Sequence, residues 1–208
     1  MRGLRAVEIA KADGLDTEVY ILDCEGGLIL VDVGFTPRCH ENIERELDEM
    51  GKTWGDVEMI IITHAHGDHI DNLPQVKELT EAEVIIGEGD EGRLYERTGV
   101  EADVVLGHGD LIGACGGVEI VHVPGHSDGN LCLYLRGYGA VIAGDTIFGD
   151  SEGNLEAPPE KYCEDAVEAS RNLGILVDYE FDALLLSHGM NTMAGAKEKV
   201  LRLIEECT

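Results

Sequence analysis

Ile60-Ile61-Ile62-Thr63-His64-Ala65-His66-Gly67-Asp68-His69 is the stretch on which the reading of this chain turns: an apolar run breaks off into three histidines and a carboxylate within six positions. A run of that kind reads as a buried strand. An extended segment points alternate side chains the same way, so His64 and His66 can put two imidazoles on one ion. Gly67 then lets the chain turn, which swings Asp68 and His69 toward a second ion. The bland alternative is a chance cluster of surface histidines. With only 8 His in the chain, four ligand-type groups set directly after a strand argue against chance.

Working outward, the same design recurs. His126 ends Val121-His122-Val123-Pro124-Gly125-His126, an apolar segment that stops at Pro-Gly, with His122 inside the strand. Asp145 follows Ala140-Val141-Ile142-Ala143-Gly144, and His188 follows Ala183-Leu184-Leu185-Leu186-Ser187. Asp32 sits in Val31-Asp32-Val33-Gly34. A buried strand with a polar residue at its end is how the rims of α/β sheets build active sites, because strand ends are rigid and the loops beyond them are open to solvent.

The ordered set His64-x-His66-x-Asp68-His69, His126, Asp145 and His188, preceded by Val31-Asp32-Val33-Gly34, resembles the metallo-β-lactamase superfamily over nearly the whole chain. The resemblance implies an α/β fold, a four-layer αβ/βα sandwich, as one domain over residues 1–208. It further implies a dinuclear site in which His64, His66 and His126 hold one metal, Asp68, His69 and His188 hold the other, and Asp145 bridges them. Asp32 would orient a ligand from behind, and its bland reading is a structural strand-end carboxylate.

Composition agrees with a compact fold. At 208 residues the chain can bury roughly 70% of its unfolded surface. No apolar run approaches the ~20 residues of a membrane span. Met1-Arg2-Gly3-Leu4-Arg5 has basic residues but no apolar segment after it, which reads against a secretory signal. The six cysteines form no Cys-x-x-Cys pair and read as reduced thiols, which points to the cytoplasm. A formal net charge of −27 repels nucleic acid and anionic membranes. Neither is an expected partner; a small-molecule substrate is. Oligomeric state is not legible.

Residues 4–10, 18–24 and 27–33 read as opening strands with Glu25-Gly26-Gly27 as a hairpin turn. Thr36 and Pro37 read as the N-cap and first position of a helix that carries Ile43, Leu47 and Met50 on one face and ends at Gly51. Asp71 reads as the cap of a helix to about Leu79, with Pro74 in its first turn. Residues 83–87, 103–106, 118–123, 131–136 and 139–143 read as strands of a second sheet. A helix from about Glu160 to Leu173 follows Pro158-Pro159 and stops at Gly174. The last helix places Val200, Leu203, Ile204 and Cys207 on one stripe.

The ligand types fix the expected chemistry. Two divalent ions, zinc foremost with iron or manganese as alternatives, lower the pKa of a shared water to near 7 and polarise a carbonyl or phosphoryl oxygen. The expected enzyme is a metal-dependent hydrolase, similar to glyoxalase II, that uses a metal-bridging hydroxide on a small ester, thioester or lactone. Asp68 would be both a ligand and the group that orients the water or takes its proton. The chain ends soon after His188, without the C-terminal helical domain that shapes the thioester pocket in typical glyoxalase II enzymes, which puts glutathione specificity in doubt. A single-iron persulfide dioxygenase is the alternative, followed by a phosphodiesterase and by a non-catalytic module whose metals only staple loops. The substrate pocket is expected among the loops around Phe35, Phe148-Gly149-Asp150 and Tyr162.

Overall fold

A computed structural model describes residues 4–12, 15–36 and 38–207. The chain divides into two compact units, Met1–Leu106 and Gly107–Thr208.

In the first unit the strands β1 (Leu4–Ala12), β2 (Leu15–Cys24), β3 (Gly27–Val31), β4 (Val57–Ile62), β5 (Glu83–Gly87) and β6 (Val104–Leu106) form one sheet in that order. β1, β2 and β3 are antiparallel neighbours, and Glu25-Gly26 closes the hairpin with Cys24 opposite Gly27. From β3 onward the pairing is parallel. Parallel neighbours need a crossover, and helices supply it. α1 (Cys39–Met50) joins β3 to β4, α2 (Gly67–Ile70) and α3 (Leu73–Leu79) join β4 to β5, and α4 (Glu91–Thr98) joins β5 to β6.

The core on the helical face is built from alternate strand residues, Leu28, Leu30, Ile60, Ile62, Val84 and Ile86, against Ile43, Leu47, Leu73, Val76 and Leu94. α1 buries Cys39, Ile43 and Leu47, and each of the two aliphatic side chains contributes about 1.5–3 kcal/mol. The helix ends where Gly51, at φ 69, takes the left-handed conformation that lets the last carbonyls find donors.

The second unit carries the sheet β13-β10-β9-β8-β7, made of β7 (Leu111–Ile112), β8 (Val118–His122), β9 (Leu131–Leu135), β10 (Ala140–Ile142) and β13 (Ala183–Leu185). Only β10 and β13 run parallel. β11 (Phe148–Gly149) and β12 (Leu155–Glu156) make a small ribbon. α5 (Ala166–Asn172) buries Ala169, and Leu173 just after it clusters with Val200 and Leu203 of α6 (Ala196–Cys207) and with Val121, Cys132, Val141 and Leu184 of the sheet. Ile204 is half-buried beside them, whereas Cys207 is exposed.

Several expectations are corrected. Residues 83–87 and 104–106 belong to the first sheet, because α2, α3 and α4 return the chain to the same sheet edge. β3 ends at Val31, since Asp32 leaves the strand at φ 61. α1 starts at Cys39 with Arg38 at the N-cap position, and Thr36 accepts from the Cys39 N–H through its carbonyl; Pro37 lies outside the described residues. Asn72, not Asp71, occupies the N-cap position of α3, while Asp71 pairs with Arg97. After Pro158-Pro159 comes a 3-10 turn at Glu160–Tyr162, and α5 begins only where Asp165 accepts from the Glu168 N–H. Gly174 does not stop the chain, which continues as a 3-10 segment over Leu173–Asp178. Nor are all six cysteines reduced thiols: Cys24 and Cys115 are disulfide-bonded, and Cys39, Cys132, Cys163 and Cys207 are free. Among the described residues no helix is long and apolar enough to cross a membrane.

Candidate functional site

In the first unit, β4 delivers the chain to Thr63 and His64 at the end of a fully buried run. His66 is still extended, at φ −81 and ψ 151, and the next residue opens α2. The turn therefore needs no left-handed glycine, since Gly67 is not among the residues with positive φ. What position 67 requires is room: a Cβ there would occupy the place of the Arg97 guanidinium. The imidazoles of His64 and His66 stand edge to face with ring centroids 4.7 Å apart, and His64 and His69 are 4.1 Å apart. His69 Nε2 lies 3.5 Å from an oxygen of Asp68, whose side chain reaches the partly open rim.

Asp32 is buried behind this cluster. It accepts from the Thr63 N–H at 2.8 Å and from the Thr63 hydroxyl at 2.8 Å, and its second oxygen lies 2.8 Å from His69 Nδ1. Because the hydroxyl donates its one hydrogen to the carboxylate, Thr63 Oγ1 is left as an acceptor for His64 Nδ1 at 3.2 Å. These partners favour the proton on Nδ1 of both rings and the lone pair on Nε2, the tautomer a metal ligand needs. Asn72, also buried, donates to the Val33 carbonyl at 3.2 Å and ties α3 to the Asp32 loop. Asp90, which the sequence pattern does not single out, is wholly buried and accepts from the Ala65 N–H at 2.8 Å.

The second unit positions its three residues through backbone proximity. Gly125, at φ 124, lies so close to the backbone of Ala169 that no Cβ fits between them. The Asp165 N–H donates to the Gly125 carbonyl at 2.9 Å and the Glu164 N–H to the His126 carbonyl at 3.2 Å, so the start of α5 holds His126 in place. Gly189, at φ 103, presses on the Gly149 carbonyl, and the Gly149 N–H donates to the His188 carbonyl at 2.9 Å. Phe148 stacks on His188 at 4.9 Å and lies 6.3 Å from His126.

Asp145 sits between these two histidines. One carboxylate oxygen is 3.2 Å from His126 Nε2 and the other is 3.4 Å from His188 Nε2. Beneath it, Asn130 donates to the Thr146 hydroxyl at 2.7 Å and the Cys132 thiol lies 3.1 Å from the same oxygen. Burial pushes the Cys132 thiol up to about 12, so it is a neutral packing group. Cys163 Sγ lies 3.8 Å from His126 Nδ1, the nitrogen turned away from Asp145.

Each unit therefore groups its own part of the predicted set: His64, His66, Asp68 and His69 with Asp32 in the first, and His126, Asp145 and His188 in the second. Imidazole and carboxylate donors, with Nδ1 of His64 and of His69 engaged by Thr63 and Asp32, suit zinc, iron or manganese. His122 instead lies 2.7 Å from the Asp128 carbonyl through Nε2. Of the residues expected near the substrate, Phe148 faces the histidines. Asp150 accepts from the Glu152 and Asn154 N–H groups and the Asn154 amide, and these bonds hold its carboxyl below the usual range. Tyr162 lies under the Lys161 ammonium, 4.4 Å from its ring centre, and Phe35 is half-buried.

The missed residues left weak signals. Asp90 follows Gly87-Glu88-Gly89 at the start of a helix, where a local cap is the default reading. Thr63 was inside the motif but not a ligand type.

A family model described as the metallo-beta-lactamase superfamily matches residues 12–189. Among curated proteins, the hydroxyacylglutathione hydrolase of Rhodospirillum rubrum is 28% identical over 145 residues, covering 67% of this chain and 51% of that protein. That of Ectopseudomonas mendocina is 36% identical over 104 residues, covering 49% of this chain and 38% of its own length. The matches thus span about half or less of these curated relatives. A metallo-beta-lactamase family protein from Thermus thermophilus superposes with a TM-score of 0.79 at 21% identity, over 99% of this chain and 79% of that one. An archaeal superfamily member from Sulfolobus tokodaii gives 0.73 at 16%, over 99% and 86%. Likeness at this identity shows the fold, and the fold is that of the metallo-β-lactamases.

Proposed function

The chain belongs to the metallo-beta-lactamase superfamily, and on that premise we propose that residues 1–208 act as one catalytic domain, a dinuclear metal-dependent hydrolase of small esters, thioesters or lactones. In this reading His64, His66 and His126 hold one ion, Asp68, His69 and His188 hold the other, and Asp145 bridges them. The observation that carries it is the Asp145 carboxylate, whose two oxygens face two different imidazoles at 3.2 and 3.4 Å. A carboxylate that turns a separate oxygen to each of two imidazoles is placed to give one oxygen to each of two ions.

When bound, the ions supply a water acidic enough to ionise near pH 7 and polarise the scissile carbonyl. The protein's own part is positional and protonic. Asp32 and Thr63 fix the tautomers of His69 and His64, and Phe148 closes the apolar side of His188. Asp68, on the rim, orients the attacking water and takes its proton. The hydroxyacylglutathione hydrolases among the relatives support a thioester or ester, and the partial coverage leaves the acyl and thiol groups open. The acidic balance of −27 supports a small molecule over nucleic acid. A cytoplasmic setting draws support from the four free thiols, and the disulfide-bonded Cys24 and Cys115 count against it.

The test pairs elemental analysis of the purified protein with a panel of esters, thioesters, lactones and phosphodiesters. Two zinc or manganese ions with carbonyl-ester turnover are expected. One iron per chain with oxygen uptake on a persulfide would replace the reading with the dioxygenase, and ribonuclease activity without ester turnover would overturn it.

A further inference from the structure

α2 is a single turn, closed by the His69 N–H donating to the His66 carbonyl at 3.0 Å and the Asp71 N–H to the Gly67 carbonyl at 2.9 Å. A helix that short cannot hold itself, because nucleation is not repaid within one turn. Yet it carries Asp68 and His69. What fixes it lies on α4, against which it packs.

We propose that α4 is a bracket whose two ends set the two halves of the His64–His69 motif separately, Asp90 positioning the His64 and His66 pair and Arg97 positioning the Asp68 and His69 pair. Asp90 occupies the N-cap position of α4, but its side chain makes no capping bond to its own helix. It accepts instead from the N–H of Ala65, the residue between the two histidines, from a wholly buried position. Holding that amide fixes the plane of the His64–Ala65 peptide, the backbone link from which both histidines project. Arg97 lies seven residues on, two turns along the same face. Its Nε and Nη2 grip the two oxygens of Asp71, at 2.8 Å for Nη2, while the guanidinium fills the space beside Gly67. The turn is thereby held at both its first residue and the residue that follows it.

The Arg97–Asp71 pair is exposed, and exposed pairs add little to global stability even when bidentate. Its effect is therefore expected in the metal site and not in the melting temperature. The hydrogen bond to Asp71, and the charges of Asp71 and Asp68, all favour the charged guanidinium. Asp71, which sequence alone suggests as a helix cap, is the far jaw of this clamp.

The metal readout rests on the dinuclear reading above, and the exchange readout does not. Cobalt(II) would be titrated into metal-free protein and each variant's absorption and stoichiometry compared with two references, His66→Ala and Asp68→Asn. Asp90→Ala should reproduce the His66→Ala signature, with affinity for that ion lowered about ten- to a hundred-fold. Asp90→Asn keeps an acceptor for the Ala65 amide and should restore most of it. Arg97→Gln, and Gly67→Ala by displacing the guanidinium, should reproduce the Asp68→Asn signature. In the metal-free proteins, Arg97→Gln should speed hydrogen exchange at the His69 and Asp71 amides and leave Ala65 unchanged, and Asp90→Asn should not. Variants that weaken both ions alike, or neither, overturn the bracket. If the unaltered protein takes up fewer than two ions, the dinuclear reading fails and the exchange rates decide alone: unchanged exchange at His69 and Asp71 in Arg97→Gln overturns the bracket.

Discussion

The two halves of the proposed ligand set are built on opposite principles. In the first unit four ligand-type residues are contiguous, and buried side-chain acceptors hold them: Asp32 for Thr63 and His69, Asp90 for Ala65. In the second unit His126, Asp145 and His188 are far apart in sequence and stand each at the end of its own strand. There the support is backbone against backbone, Gly125 on Ala169 and Gly189 on Gly149. The first half should therefore fail when an acceptor is removed, and the second when bulk is added.

The largest effect on stability is expected at Asp32. Asp32→Ala leaves the Thr63 amide and hydroxyl and His69 Nδ1 without their acceptor, and puts alanine at φ 61. Loss of such a buried network should cost about 3–5 kcal/mol, read by denaturant unfolding of the metal-free protein. Asp32→Asn tolerates the left-handed backbone and keeps an acceptor for the Thr63 amide, but turns donors toward Thr63 and His69. It should remain folded and bind its second ion about ten- to a hundred-fold more weakly by titration.

Next comes added bulk. Gly125→Ala and Gly189→Ala meet backbone atoms at positive φ and should each cost about 2–4 kcal/mol in the same unfolding measurement. Gly67→Ala meets only the end of a flexible arginine, and should stay within about 1 kcal/mol of the unaltered protein. If Gly67→Ala proves the most damaging of the three, the contrast between the halves is wrong.

A smaller effect follows from the thiol under Asp145. Folding raises Cys132 from its ordinary value near 9 to about 12, so between those pH values the folded state holds a proton that the unfolded state has released. The stabilisation is fully present below pH 9 and is lost as pH rises, at up to about 1.4 kcal/mol per pH unit. Unfolding free energy measured from pH 8 to 11 should fall less steeply for Cys132→Ala than for the unaltered protein, by close to one proton. The smallest expected shift is with salt. At a net charge of −27 screening relieves self-repulsion in both halves, and melting should rise by a few degrees, on the order of 5 °C, from dilute buffer to molar KCl. A flat curve would mean that the repulsion is already offset.

The contrast also explains what could be read from the sequence. A contiguous motif at the end of an apolar run announces itself, and so do strand-end residues such as Asp145 and His188 once the motif is recognised. Sheet membership did not: Glu83–Gly87 and Val118–His122 are similar short apolar runs, and only the crossover helices assign the first to the opening sheet. Helix starts slipped where a proline or a threonine offered a plausible cap before the chain was ready to turn, as at Thr36 and Pro158. Asp90 and Arg97 escaped notice because an acid before a helix and a base near its end are ordinary helix chemistry. Their partners are 25 and 26 residues away in the chain, and nothing local points to them. The disulfide-bonded state of Cys24 and of Cys115 is likewise invisible, since sequence spacing does not show whether a cysteine is oxidised.

The proposed dinuclear centre is tested most directly by counting metal in the purified protein beside Asp145→Asn and His122→Ala. Asparagine keeps the volume at position 145 and removes the charge that offsets repulsion between the ions, while His122 is engaged with the Asp128 carbonyl. Two ions per chain are expected in the unaltered protein and in His122→Ala, and one in Asp145→Asn with its melting profile retained. Two ions retained by Asp145→Asn, or a loss of metal in His122→Ala instead, would contradict a dinuclear centre bridged by Asp145.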